Sequence, residues 1–292
     1  MILRDISQIS NLNFRLLDKF SSKSAGRKAA TLWLTPPLPE QPIDEAGLLS
    51  ESKRDDIRFS GGSNATQNHT VARYTWGDGR DTVLLLHDWG KSAAQVARLA
   101  QALSHEGYRV ITFDAVAHGA SSGAQTHVLE TTEIIKCISR EEGPFHAVIA
   151  HSVSAISAVL AIQEGTTTRK LVLSNTAASI DFYLREFCRQ ISISRPTMGR
   201  MSYYINTCMG RNLKEFSIVN LVPRLTTAGL ILHDKYNDIV DYREALTLSK
   251  VWRNSDLRLT EGFDHDDFLA HPDIVRTILS YLKVREPAAQ LN

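Results

Sequence analysis

From Ile57 onward the chain alternates short apolar runs with helix-length segments, and this alternation restricts the fold more than any other feature. The runs are Val83–Leu86, Val110–Phe113, Ala147–Ala150, Leu171–Leu173, Leu230–Leu232 and Leu257–Leu259. Most are apolar at nearly every position, so both faces of the sheet they build must be covered. Segments such as Ala93–Gly107 and Ser154–Glu164 are long enough to be crossover helices of βαβ units. The pattern predicts an α/β protein with a mostly parallel central sheet flanked by helices. At 292 residues the chain has room for one such domain with an insertion.

Two segments break the alternation. Residues 180–217 are too long for a simple connection and carry Phe182, Tyr183, Phe187, Tyr203, Tyr204 and Phe216. They predict a helical cap inserted into a core made of 57–179 and 218–292. Residues 1–56 begin with an apolar stripe, Ile2, Ile6, Ile9, Leu12, Leu16, Leu17 and Phe20, and continue into Pro36-Pro37-Leu38-Pro39 and Pro42. The stripe has helical spacing, and the prolines stop helix and impose extended backbone. Asp5 and Asp18 dilute the basic face that a membrane-surface helix favours, so this helix and its Pro-rich arm are expected to pack on the core.

Charge excludes several classes of partner. The 33 basic and 32 acidic side chains nearly cancel and form no long single-sign run, which argues against nucleic acid. Cys137, Cys188 and Cys208 are too few and too scattered for a disulfide framework. No apolar run reaches the length of roughly 18 residues that a membrane span needs, and no apolar leader opens the chain. The expectation is a cytoplasmic protein without an integral membrane segment, compatible with a homodimer. No Gly-x-Gly-x-x-Gly turn follows a strand and no histidine pair has zinc spacing, so neither a cofactor nor a metal is expected.

The chemistry gathers in the loops after the apolar runs. Ala147–Ala150 leads through His151 into Ser152, and a helix of small residues begins at Ser154. A serine on a sharp strand-to-helix turn projects its hydroxyl above the sheet, and the small Ala150 and Ser154 let strand and helix approach. The loop His87-Asp88-Trp89-Gly90 follows the first run; there the backbone N–H of Trp89, with that of Val153, could receive an oxyanion. After Leu230–Leu232 comes Asp234-Lys235-Tyr236-Asn237-Asp238, with Asp238 the preferred acid and Asp234 and Asp241 its rivals. After Leu257–Leu259, the loop Glu261–Asp267 presents His265 as general base, with His271 as runner-up.

The order Ser152, Asp238, His265 and these loops together resemble the α/β-hydrolase superfamily, in the bacterial branch that carries His-Gly-Trp-Gly and Asp-x-Pro-x-His-Gly-x-Ser. The resemblance runs from about Ile57 to the C-terminus. It implies a serine hydrolase acting through an acyl-enzyme, with Ser152, Asp238 and His265 as triad, Trp89 and Val153 as oxyanion donors, and no cofactor. The expected substrate is a small or medium acyl ester. Thioesters and C–C bonds are cleaved by the same constellation, and a non-catalytic binding protein of the same fold is the alternative from another class. Five departures stand out. Asp88 replaces the glycine of His-Gly, Val116 replaces a proline, Ala150 and Ser154 replace the elbow glycines, and Asp264 stands where a glycine commonly precedes the histidine. An inward-pointing Asp88 carboxylate would oppose a developing oxyanion.

Overall fold

The computed structural model describes residues 11–37, 45–60 and 68–284. Its eight strands are β1 (Lys53–Ser60), β2 (Asn68–Trp76), β3 (Thr82–Leu86), β4 (Arg109–Phe113), β5 (Phe145–His151), β6 (Thr168–Ser174), β7 (Ala228–Asp234) and β8 (Ser255–Thr260). They form one sheet in the order β1-β2-β4-β3-β5-β6-β7-β8. β2 runs antiparallel to both neighbours, and every other pairing is parallel. All six expected runs are strands. The two the apolar runs did not reveal, β1 and β2, lie at one end of the sheet and alternate buried with exposed residues instead of being apolar throughout.

The period of two along each strand divides the core between the two faces. Leu84, Leu86, Val148 and Ala150 pack with the helices Val128–Glu142 and Ser154–Gln163 on one side. Val83, Leu85, Ala147 and Ile149 pack with Ala97–His105 and Pro272–Lys283 on the other. Lys170 on β6 is buried, and its ammonium donates to the carbonyls of Tyr281, Leu282 and Val284, satisfying the end of the last helix.

Between β6 and β7 the chain inserts the helices Ile180–Gln190 and Arg195–Met209 and several short turns of helix. The helix Ser22–Leu34 lies along Arg195–Met209, with Gly26 at the closest approach, where a Cβ would meet Arg200. Asp18 ties the two segments further by accepting from Ser194 N at 2.6 Å and from the Thr197 hydroxyl, which caps the inserted helix. Trp33 meets Phe187 edge-on at 5.2 Å. The N-terminal segment therefore packs on the insertion as well as on the loop after β4, where Thr126 N donates to Leu34 O at 2.8 Å. Ile2, Ile6 and Ile9 of the expected stripe, and Leu38, Pro39 and Pro42 of the arm, lie outside the described residues.

Two glycines give a test of packing. A Cβ on Gly229 in β7 would run into the buried Trp252 indole, whereas one on Gly199 in the inserted helix meets nothing within 4 Å. Gly229→Ala is expected to cost about 1–3 kcal/mol by overpacking. Gly199→Ala is expected to be neutral or to stabilise by roughly 0.5–1 kcal/mol, because alanine restricts the unfolded chain and favours helix. Urea midpoints of the two variants check both.

Candidate functional site

The turn between β5 and the helix Ser154–Gln163 places Ser152 at φ 55°, in the left-handed region that β-carbon sterics disfavour. The surroundings hold it there. Ser152 N donates to Ser174 O at 2.9 Å, and Ser154 Oγ donates back to His151 O at 2.8 Å. Ser152 is buried, and its hydroxyl side faces Tyr183 of the insertion, whose own hydroxyl accepts from Ala177 N at 3.1 Å. Burial pushes the Tyr183 phenol up to about 12, so it stays protonated. Along the chain Tyr183 reads only as one aromatic of the insertion, because nothing local shows which of these rings reaches back to the elbow.

His265 lies in the loop after β8 and is 1% exposed. His151, directly before the nucleophile position, donates from Nε2 to His265 O at 3.0 Å, while its Nδ1 meets Ser174 Oγ at 2.8 Å. Burial, followed by the neighbouring His265, holds His151 down to about 3. It is thus a neutral strut fixing the backbone of the His265 loop. The Nδ1 of His265 meets the Asn237 amide, with Nδ2 at 2.9 Å and Oδ1 at 3.2 Å. Asn237 Oδ1 also accepts from Ile239 N and Val240 N at 3.1 and 2.8 Å, which pins the amide to its turn.

The expected orienting acid, Asp238, is exposed, and the amide of Asn237, one residue earlier, meets the imidazole. The reason is the turn itself: Asn237 closes an Asx-type turn over Ile239 and Val240, and that closure holds its amide against the buried ring. The rival Asp234 has a different task. Its carboxylate accepts from Tyr236 N, Gly262 N, Phe263 N and Thr260 Oγ1, stitching the loop after β7 to the loop after β8. Burial would raise its pKa, but these backbone donors hold it below the ordinary range. Asp241 pairs with Arg243 at the surface, and His271 accepts from Asp273 N at the start of the last helix.

The loop after β3 is held by His87, whose Nδ1 donates to Asp88 O at 2.7 Å while Nε2 accepts from Ala115 N at 3.0 Å. Gly90 has φ +72°, and a Cβ there would sit 2.7 Å from Pro37, so the arm described as far as Pro37 reaches this loop. Asp88 points inward and is 1% exposed. Its Oδ1 accepts from Trp89 N at 2.7 Å and lies 3.4 Å from Val153 N, while Oδ2 is 3.2 Å from His265 Nε2. The two N–H groups expected to receive an oxyanion therefore converge on one oxygen, and that oxygen belongs to the protein. Burial opposes ionisation of Asp88, yet the His265 hydrogen bond and charge hold its pKa far below the ordinary carboxylate range.

Among the described residues, Asp88, His151 and His265 form a buried group with ligand atoms within 4.8 Å of one another. The donor set does not suit a cation. His151 spends its N–H on the His265 carbonyl and directs its other nitrogen at Ser174, which leaves no free lone pair for a metal.

The sheet and its flanking helices have counterparts among known proteins. Residues 77–205 match the model of the serine aminopeptidase S33 family. An esterase of Pyrococcus furiosus superposes with a TM-score of 0.61 at 18% identity, over 85% of this chain and 97% of that one. The chain has the α/β-hydrolase fold. A thioesterase domain from the curacin biosynthetic pathway superposes at 0.59 with 13% identity, covering 79% and 98% of the two chains. A bacterial membrane phospholipase A does so at 0.60 with 16% identity, covering 82% and 87%. No curated protein matches the sequence. Among the described residues no helix is long and apolar enough to cross a membrane.

Buried histidines make the folded chain sensitive to mild acid. His118 is held down to about 3 by burial and by His87, and His151 to a similar value, against 6.5 when unperturbed. Both stay neutral in the folded chain while the unfolded chain takes up protons. Their contribution is complete above pH 6.5 and is lost as pH falls toward 3. Each is expected to steepen the loss of stability by about 1.4 kcal/mol per pH unit below pH 6. Urea unfolding between pH 7 and 5.5 measures the slope, and a flat profile would contradict it.

Proposed function

We propose that this α/β-hydrolase cleaves carboxylic esters through an acyl-enzyme on Ser152. The observation that carries this reading is the convergence of Trp89 N and Val153 N on a single oxygen position next to the strained serine and His265. Such a pair of fixed dipoles in a water-poor site is what a tetrahedral intermediate needs, and it costs no reorganisation during the reaction. In the proposed reaction His265 Nε2 takes the Ser152 proton, the alkoxide attacks the acyl carbon, and the carbonyl oxygen moves into the place now filled by Asp88 Oδ1. His265 then protonates the leaving alcohol, and water attacks the acyl-enzyme with His265 again as base.

Asn237 serves as the orienting residue in this scheme. Its Oδ1 accepts from Nδ1–H, which directs the lone pair to Nε2, but as an amide it stabilises the imidazolium less than a carboxylate would. Ester cleavage is favoured over the thioester reaction only by the chemistry of the esterase and phospholipase among the similar structures. A binding protein without catalysis is the second reading, and the occupied oxyanion position favours it.

A fluorophosphonate probe separates the two. Labelling of the folded protein that disappears in Ser152→Ala supports the hydrolase, and no labelling supports the binding protein. Within the hydrolase, Asn237→Ala is expected to lower kcat at least about tenfold and Asp238→Ala by less. A panel of p-nitrophenyl esters and acyl thioesters supplies the rates, and the reverse ranking would restore Asp238 as the orienting residue.

A further inference from the structure

Asp88 is an obstacle to the proposed reaction as it stands, since it fills the oxyanion position and occupies the nitrogen that must act as base. The same loop borders a small cavity of about 30 Å³, lined in part by Asp88, Trp89, Phe113, His118, Val128 and Val153. Among these residues His118 carries a buried nitrogen without a hydrogen-bond partner. His118 is 5% exposed, its Nδ1 lies 2.9 Å from Val116 O, and its Nε2 is buried and makes no hydrogen bond. A ring nitrogen facing a carbonyl must donate, so the proton sits on Nδ1 and Nε2 is an acceptor. The low pKa of His118 agrees with a neutral ring. A buried acceptor without a donor is costly, so it calls for an explanation.

We propose that Asp88 is a two-position proton carrier that leaves the oxyanion site as a neutral acid and docks its O–H on His118 Nε2. This rests on the hydrolase reading above. The step balances with one proton. In the proposed closed state His265 carries a proton on each nitrogen, with Nδ1 3.2 Å from Asn237 Oδ1 and Nε2 3.2 Å from Asp88 Oδ2. The N–H bond at Nε2 breaks and an O–H bond forms on Asp88, so an ion pair becomes a neutral acid and a neutral imidazole. His265 then presents an Nε2 lone pair to Ser152, and the Trp89 and Val153 N–H groups are released together. An apolar cavity accepts the neutral acid far more readily than the carboxylate, which makes protonation a condition of the move. After turnover the return of the proton closes the site again. His118 acts only through Asp88 and is a positioning residue. Asp88 contacts the reacting nitrogen and holds the site closed until it moves.

The test is a double-mutant cycle on p-nitrophenyl butyrate hydrolysis and on the rate of fluorophosphonate labelling. Asp88→Ala removes the plug and is expected to raise both rates by about 100–1,000-fold, the range of oxyanion contributions. His118→Leu removes the docking acceptor and is expected to lower both by up to about tenfold, the range of one hydrogen bond. That penalty should vanish when Asp88 is already alanine. His118→Gln, which keeps an acceptor, should restore most of the rate and shows whether the leucine variant lost activity through folding. A His118→Leu penalty of equal size in both backgrounds overturns the carrier and leaves the hydrolase standing, as does a lower rate in Asp88→Ala. Absence of turnover and labelling in every variant, Asp88→Ala included, overturns the hydrolase reading and the carrier with it.

Discussion

A carboxylate removed from water must be met by donors, and the three that meet Asp88 come from three different loops. Trp89 N belongs to the loop after β3, Val153 N to the elbow after β5, and His265 Nε2 to the loop after β8. One buried charge therefore fixes the relative positions of every group the proposed chemistry uses. The parallel sheet makes this economical, because all three loops leave the same edge of it and need only short paths to meet. Removing the charge would free the groups without moving the strands that carry them.

Around that centre, polar groups act mostly as struts. His87 holds the loop behind Asp88, His151 holds the backbone of His265, and Asp234 joins the loops after β7 and β8. The histidines do this as neutral rings, with one nitrogen donating and the other accepting, which suits a site where a second buried cation would compete for Asp88. The strain stored at Ser152 is balanced by the same framework, since β5, β6 and the following helix all bond to the turn. The insertion adds Tyr183 over the serine, and the N-terminal helix braces the insertion.

Most of the architecture was legible along the chain. Six strands announced themselves because burial on both faces demands unbroken apolar runs. β1 and β2 were hidden by their half-exposed pattern, which resembles that of many surface segments. Ser152 and His265 were legible because a strand followed by small residues, and a late loop with a single histidine, have few other uses in this order. The choice between Asn237 and Asp238 was not legible, because it depends on which of two adjacent side chains a turn directs at a ring 28 residues away in sequence.

The sequence by itself determined the sheet, the order of the chemical groups and the presence of a carboxylate in the loop after β3, because those follow from local periodicity and residue identity. Only the tertiary structure decided that Asp88 points inward, that the Asn237 amide meets His265 Nδ1, and that a His118 nitrogen is buried without a partner. Each of these is a relation between side chains on separate loops. Their directions are set by donors and acceptors that meet only after the sheet has formed, and no pattern along one segment encodes the partner on another.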